Sequence, residues 1–365
     1  MTDASAQPKS DPQPVVDPAP AAIGGQAGNL MAALETFGLW QRLIYLQKPA
    51  VIVADQALLA VMPSNVISQG ARRIFVEDVH QGRLPTPLPG PYFVVTSKNE
   101  LELKQRLRAL LLSRGIRAEI YGALHDLVPM ALGEDDTVER SGLEAKWETF
   151  ALTRSLIIAC TPRSGSQFLA RKLQEQGVGA PREHVRPAVI SLLKAAGSSR
   201  LGGVRFEPFM AGLVHHARQN DIFATKLISH FIRDLERHLL PAEWSSLIEF
   251  TRRSHIIYLL RSNKLLQGLS RDRAKSTQQY HVFVDEKRAA YREQSELWTY
   301  DFARILREVR QINNEEVYLM NWLRHLVDPS RRIPVVYETM DVNSVVEEAR
   351  GALGAPSSRS TIELP

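Results

Sequence analysis

Apolar residues enter this chain as short β-branched runs, separated by longer stretches with helical spacing. The first run, "AVIVAD" (residues 50–55), predicts a buried strand ending in an acid, and "RRIFVED" (72–78) repeats that form. "PYFVVTS" (91–97) predicts a third strand and "RAEIYG" (117–122) a fourth. Between the last two, "NELELKQRLRALLLSRG" spaces its apolar residues as a helix does. "LPTPLPGP" (84–91) is a stiff connector. Strands alternating with helices predict a parallel sheet.

The second half repeats the alternation. "SLIIA" (155–159), "DIFATKLI" (221–228), "HIIYLLR" (255–261) and "RIPVVYE" (332–338) read as strands with helical segments between them. The expected fold is therefore α/β: a P-loop-like parallel sheet with helices on both faces, preceded by a smaller α/β domain. Ligands of such sheets bind beyond the C-terminal ends of the strands. The charged, turn-rich "GEDDTVERSGLEAKWE" (133–148) predicts a linker, so the small domain is expected over 29–150 and the larger over 151–365. Residues 1–28 are rich in Pro and Ala and predict a disordered tail. Asp55 and Asp78 read as ordinary strand-end acids, since no Gly-rich turn accompanies them to hold a nucleotide.

Bulk composition narrows the partners. A chain of 365 residues suits two or three domains. Lys and Arg (45) exceed Asp and Glu (40), a net charge of +5. That balance suits an anionic small molecule and gives little support to nucleic acid. The single cysteine, Cys160, excludes an intramolecular disulfide and disfavours a Cys-based zinc site. The first residues lack the basic and apolar regions of a secretory signal. No apolar run approaches the ~20 residues that span a bilayer. A cytoplasmic protein is expected, with peripheral membrane contact and homo-oligomerisation left open.

Candidate chemistry begins at "LIIACTPRSGSQFLARKLQEQG" (156–177), which reads as strand, tight loop, helix. Gly165 permits a tight turn, Ser164 and Ser166 offer hydroxyls, and Arg163 adds a forked charge. The helix that follows directs its N-terminal N–H groups at the loop. The bland alternative is a plain strand–helix turn with Ser166 as N-cap. The G-x-x-x-x-G-K-[ST] pattern of nucleoside-triphosphate enzymes is absent, which argues against a kinase. A second segment, "YLLRSNKLLQGLSRDRAKSTQQYH" (258–281), sets Arg261 at a strand end. Lys264, Gln267 and Ser270 then recur every three residues, putting polar and basic groups at a second sheet-end site. Alone, that is a solvated helix face.

Together the two segments resemble the bacterial carbohydrate sulfotransferases of the trehalose and nodulation-factor type, over roughly residues 153 to 355. The resemblance rests on Arg163-Ser164-Gly165-Ser166 and on Arg261, Lys264, Gln267 and Ser270. Further echoes are Arg273, Ala274 and Thr277, Lys226-Leu227, Tyr300-Asp301 and Tyr337-Glu338. It implies that Arg163, Ser164, Gly165, Ser166 and Gln167 hold the phosphosulfate of 3′-phosphoadenosine 5′-phosphosulfate (PAPS). It also implies that Arg261 and Ser270 hold the 3′-phosphate, and that the acceptor is a carbohydrate or glycolipid hydroxyl. Two departures stand out. Gln167 replaces the usual Thr, and the aromatic expected after Thr277 is displaced or replaced around Tyr280-His281.

Sulfuryl transfer needs a base for the acceptor proton and positive charge for the leaving group. "GAPREHVRP" (179–187) resembles the family segment whose Glu is the base, so Glu183 is the candidate, with His184 as its rival. Arg163 is the electrophilic candidate, ahead of Lys226. His215, His216 and His230 read as core or surface histidines, and Trp244, Trp298 and Trp322 as packing. Cys160 reads as a small buried residue. The alternative function is a non-catalytic nucleotide-binding scaffold or sensor in a polysaccharide assembly. No metal site is expected.

Overall fold

The computed structural model describes residues 20–37, 51–62, 72–84, 91–96, 99–133, 154–195, 206–277 and 298–355. Its first part contains α1 (Pro20–Glu35), β1 (Val51–Ala54), α2 (Gln56–Val61), β2 (Arg72–Phe75) and α3 (Val76–His80). Next come β3 (Tyr92–Val95), α4 (Glu100–Ser113), β4 (Ile120–Gly122), a π-helical turn (Ala123–Leu127) and α5 (Val128–Gly133). These strands form a parallel sheet in the order β2-β1-β3-β4. Every residue of β1 and β3 is buried, as in a sheet covered on both faces. β2 is an edge strand, exposed at three of its four residues.

The second part contains β5 (Arg154–Cys160), α6 (Ser166–Glu175), α7 (Pro187–Ala195), α8 (Phe206–Ala217), β6 (Ile222–Ile228) and α9 (Ser229–His238). It continues with α10 (Pro241–Arg253), β7 (His255–Leu260), α11 (Lys264–Thr277), α12 (Phe302–Leu326), β8 (Arg332–Val336) and α13 (Val342–Ala352). This sheet is also parallel, in the order β6-β5-β7-β8. β5 is central, so the loop after it opens between two neighbours.

The expected strands all form, in two parallel four-stranded sheets flanked by helices. Two expectations change. The tail ends earlier than residue 28, because α1 begins at Pro20 and buries Ala27, Leu30, Met31 and Leu34. Asp78 is not a strand-end acid: the chain turns into α3 at Val76, and Asp78 pairs with Arg83 at 2.9 Å. Asp55 does end its strand, and accepts a 2.8 Å hydrogen bond from the Thr96 hydroxyl at the end of β3. Most of the expected linker lies outside the described residues.

The two sheets share one apolar core. α1 packs against α7, and α5 against α8. Leu30, Leu34 and Val128 join Val189, Leu193, Phe209 and Leu213 in a single cluster. At the end of β4, buried Glu100 accepts the backbone N–H groups of Leu124 and His125 and the His125 Nδ1. Asp126 accepts the Gly122 N–H at 2.6 Å and the Lys104 ammonium. Burial pushes the Asp126 carboxyl up, and Lys104 opposes the shift. These bonds occupy the N–H groups at the start of the helical segment that faces α8, a structural use of charge.

Candidate functional site

β5 is buried from Ser155 to Cys160 and delivers the chain into residues 161–165 at the C-terminal edge of the second sheet. Two residues there are left-handed: Arg163 at φ 63° and Gly165 at φ 90°. Left-handed residues in such a turn bring successive backbone N–H groups toward one point, the geometry of an anion nest. Gly165 then caps α6. A Cβ on Gly165 would lie 2.2 Å from the Tyr337 ring, so close approach as well as backbone hand demands glycine. Ser164 is fully buried. Burial also pushes the Cys160 thiol up, with the Ser166 and Ser164 hydroxyls opposing it, so this cysteine is the small core residue its position suggested.

The second segment meets the loop directly. Arg163 Nε donates to Ser270 Oγ at 2.9 Å, and Arg261 Nη1 donates to the Arg163 carbonyl at 3.1 Å. Arg163, Arg261 and Ser270 are thus neighbours, although they lie on a loop, a strand end and a helix. Arg261 also stands over the Tyr337 ring, 5.4 Å from its centre, with Nε 3.5 Å from Glu338. Glu338 accepts the N–H groups of Ser262 and Asn263 at 2.8 and 3.0 Å. Burial pushes its carboxyl up, but those N–H bonds prevail and hold it at about 2. Glu338 therefore braces the turn that carries Arg261.

Two members of the every-third pattern do other work. Gln267 has no exposed surface; its amide donates to Thr161 Oγ1 at 2.9 Å and to the Pro162 carbonyl at 2.7 Å. It clamps the loop from behind. Lys264 is engaged by Glu316 of α12. Further along α11, Arg271 pairs with Glu308 at 3.1 Å and Glu315 at 2.9 Å, while Glu315 accepts from Ser229 Oγ. These bonds lock α11, and Ser270 with it, to α12 and to the residue following β6. Sequence spacing gives no sign of them, because the partners lie more than thirty-five residues apart.

Glu183 is positioned by backbone pairing. Residues around Arg182 run parallel to β6: the Lys226 N–H donates to the Arg182 carbonyl at 2.8 Å, and the Thr225 hydroxyl to the same oxygen. Gly179, at φ 72°, allows this approach, since a Cβ there would lie 2.7 Å from the Ala224 Cβ. Glu183 Oε1 then accepts the Lys226 ammonium at 3.0 Å, and the same ammonium donates to Gln167 Oε1 at 2.6 Å. Lys226 is 2% exposed. Its part in linking Glu183 and Gln167 has no sequence signal beyond a lysine in an apolar strand.

His184 points the other way. It is buried and stacked on Phe223 with ring centres 5.3 Å apart, and neither ring nitrogen has a partner among the described residues. Burial, with the charges of Arg182, Arg186 and Lys226, holds the imidazole down to about 3. It is neutral at working pH and shut off from solvent. Unfolding frees it to bind a proton below about pH 6.5. Stability should therefore fall as pH drops from 6.5 toward 3. His184→Phe is expected to remove about 2 kcal/mol of the stability lost between pH 7.5 and pH 5. Urea denaturation at the two pH values checks this; an unchanged pH dependence would refute it.

The remaining candidates make contacts within the fold. Trp298 Nε1 donates to Asp272 at 2.8 Å, and Trp244 and Trp322 pack at 6.4 Å. Asp301 caps α12, and His215 and His216 touch edge to face on α8. His230 is partly buried beside Glu315, with its imidazole pushed down by burial. Tyr280 and His281 lie outside the described residues. Among those residues no helix is long and apolar enough to cross a membrane.

Comparison with known families adds one finding. The family model described as Stf0 sulphotransferase matches residues 155–361, more than half of the chain and all of the second sheet except Arg154. No curated protein matches the chain.

Proposed function

Because the chain belongs to the Stf0 sulphotransferase family, we propose that it transfers a sulfuryl group from PAPS to a carbohydrate or glycolipid hydroxyl. Membership supports sulfuryl transfer as the reaction class. The nucleotide and the acceptor class are our reading. The observation that carries it is the convergence of Arg163, Arg261 and Ser270 beside a loop with two left-handed residues. PAPS carries two separate anionic groups, and this site offers a backbone cradle and two guanidinium groups.

In this reading residues 163–167 hold the phosphosulfate, through backbone N–H groups, the Ser166 hydroxyl and the Arg163 fork. Arg261 and Ser270 hold the 3′-phosphate. PAPS supplies a sulfuryl group on a bisphosphoadenosine leaving group. Glu183 takes the proton of the acceptor hydroxyl, and the fixed charge of Arg163 lies where negative charge develops. Gln167 offers an amide donor where the family has a hydroxyl.

A panel of nucleotides tests the reading without knowledge of the acceptor. The protein is expected to bind 3′,5′-bisphosphoadenosine about 10–100-fold more tightly than AMP, ADP or ATP, because one charge-assisted contact is worth roughly 1.5–3 kcal/mol. Thermal shift and calorimetry measure the preference, which should shrink in Arg261→Ala. A preference for ATP would point to a kinase. Binding of none of the four would favour a scaffold.

A further inference from the structure

We infer that Lys226 is a positioning residue of the transfer site, which aligns Glu183 and Gln167 and does not itself bind the nucleotide. The inference rests on the sulfotransferase reading above. It starts from a misfit: β6 is buried at all seven residues, yet its fifth is a lysine. An ammonium in such a strand loses its hydration, and an apolar residue of similar length would be the stabler choice. Rules of local consistency are broken most often where function needs it.

The ammonium's partners point to that function. Both are candidate site residues, one from each side of the reaction. Gln167 belongs to the first turn of α6, directly after the anion loop. Glu183 belongs to the strand-like segment that runs beside β6. A lysine has only donors, so at 2.6 Å it fixes the Gln167 carbonyl inward and turns the amide N–H groups outward. At 3.0 Å it takes Glu183 Oε1, which leaves Oε2 for an acceptor hydroxyl. One buried atom thereby sets the spacing between a loop-side donor and the base. A group placed about 1 Å out of line can cost ~10²-fold in rate.

Acting through Glu183 makes a prediction that a nucleotide-binding lysine does not. Lys226→Met is expected to lower kcat by about 10–100-fold while changing the affinity for 3′,5′-bisphosphoadenosine by less than about threefold. In a Glu183→Gln background the same change should lower kcat by less than it does in the wild type, because residues that act as a unit are not additive and only the hold on Gln167 is left to lose. Lys226→Gln, which keeps a donor without the charge, is the second variant should the first fail to fold. It should give the same pattern. Turnover is read with labelled PAPS, trehalose and a panel of other disaccharides, and affinity by calorimetry. A tenfold or greater loss of nucleotide affinity would make Lys226 a donor-binding residue and overturn the inference. So would additive losses in the double variant. A wild-type protein that neither binds the nucleotide nor transfers sulfate would overturn the sulfotransferase reading itself, a result recognisably different from either.

Discussion

Glu183→Gln is expected to lower turnover by about 10²–10⁴-fold, the usual cost of losing a general base. The substitution is nearly isosteric, and a glutamine carbonyl can still accept the Lys226 ammonium, so the local geometry should survive. Only the capacity to take a proton disappears. Affinity for 3′,5′-bisphosphoadenosine should stay within about threefold, because Glu183 lies beside β6 and makes no hydrogen bond to the loop. Steady-state rates and calorimetry on the same samples separate the two effects. Retention of most activity would mean that another group takes the proton. His184 is then a poor replacement, being sealed against Phe223 and held neutral.

The second large effect is expected at Gly165. An alanine there must hold a φ of 90°, which disfavours any residue with a Cβ, and must push that Cβ against the Tyr337 ring. Left-handed backbone and overpacking together suggest a loss of about 2–4 kcal/mol. The ring is one wall of the Arg261 site, so nucleotide affinity should fall with stability. Gly165→Ala combined with Tyr337→Ala should recover the overpacking share but not the backbone share. Denaturant titration of the two single variants and the double gives the coupling. Full additivity would mean that the ring does not limit the loop.

The strands are legible in the sequence for a physical reason. A parallel strand covered on both faces is a near-continuous apolar run, and "AVIVA" (50–54) or "LIIA" (156–159) cannot be mistaken for an amphipathic surface. The loop is legible too, because Arg, Ser and Gly between strand and helix have a local meaning. Helix α1 is less so. Its stretch, "PAAIGGQAGNLMAALE", opens with proline and small residues, and it is buried by docking on α7, which lies far along the chain. The same limit hides the parts of the site made by tertiary contact. Gln267 reads as one of three evenly spaced polar residues, yet it is the buried clamp, while Lys264 is engaged by Glu316. The hold of Lys226 on Gln167 and Glu183 joins three separate stretches, and the seat of Tyr337 over Gly165 joins two.

The shared core has a consequence for synthesis. α1 and α5 leave the ribosome first, but the surfaces that cover them, α7 and α8, are made only after β5. At ~5–20 residues per second, the interval between α5 and the completion of α8 is roughly 4 to 17 seconds. During it the first sheet can pair its strands, whereas Leu30, Leu34 and Val128 have no second half to pack against. The nascent chain therefore carries an uncovered apolar flank for seconds, long enough to recruit a chaperone or to find the same flank on a neighbouring polysome. Slow codons just after α5 would lengthen that exposure, and fast ones would shorten it.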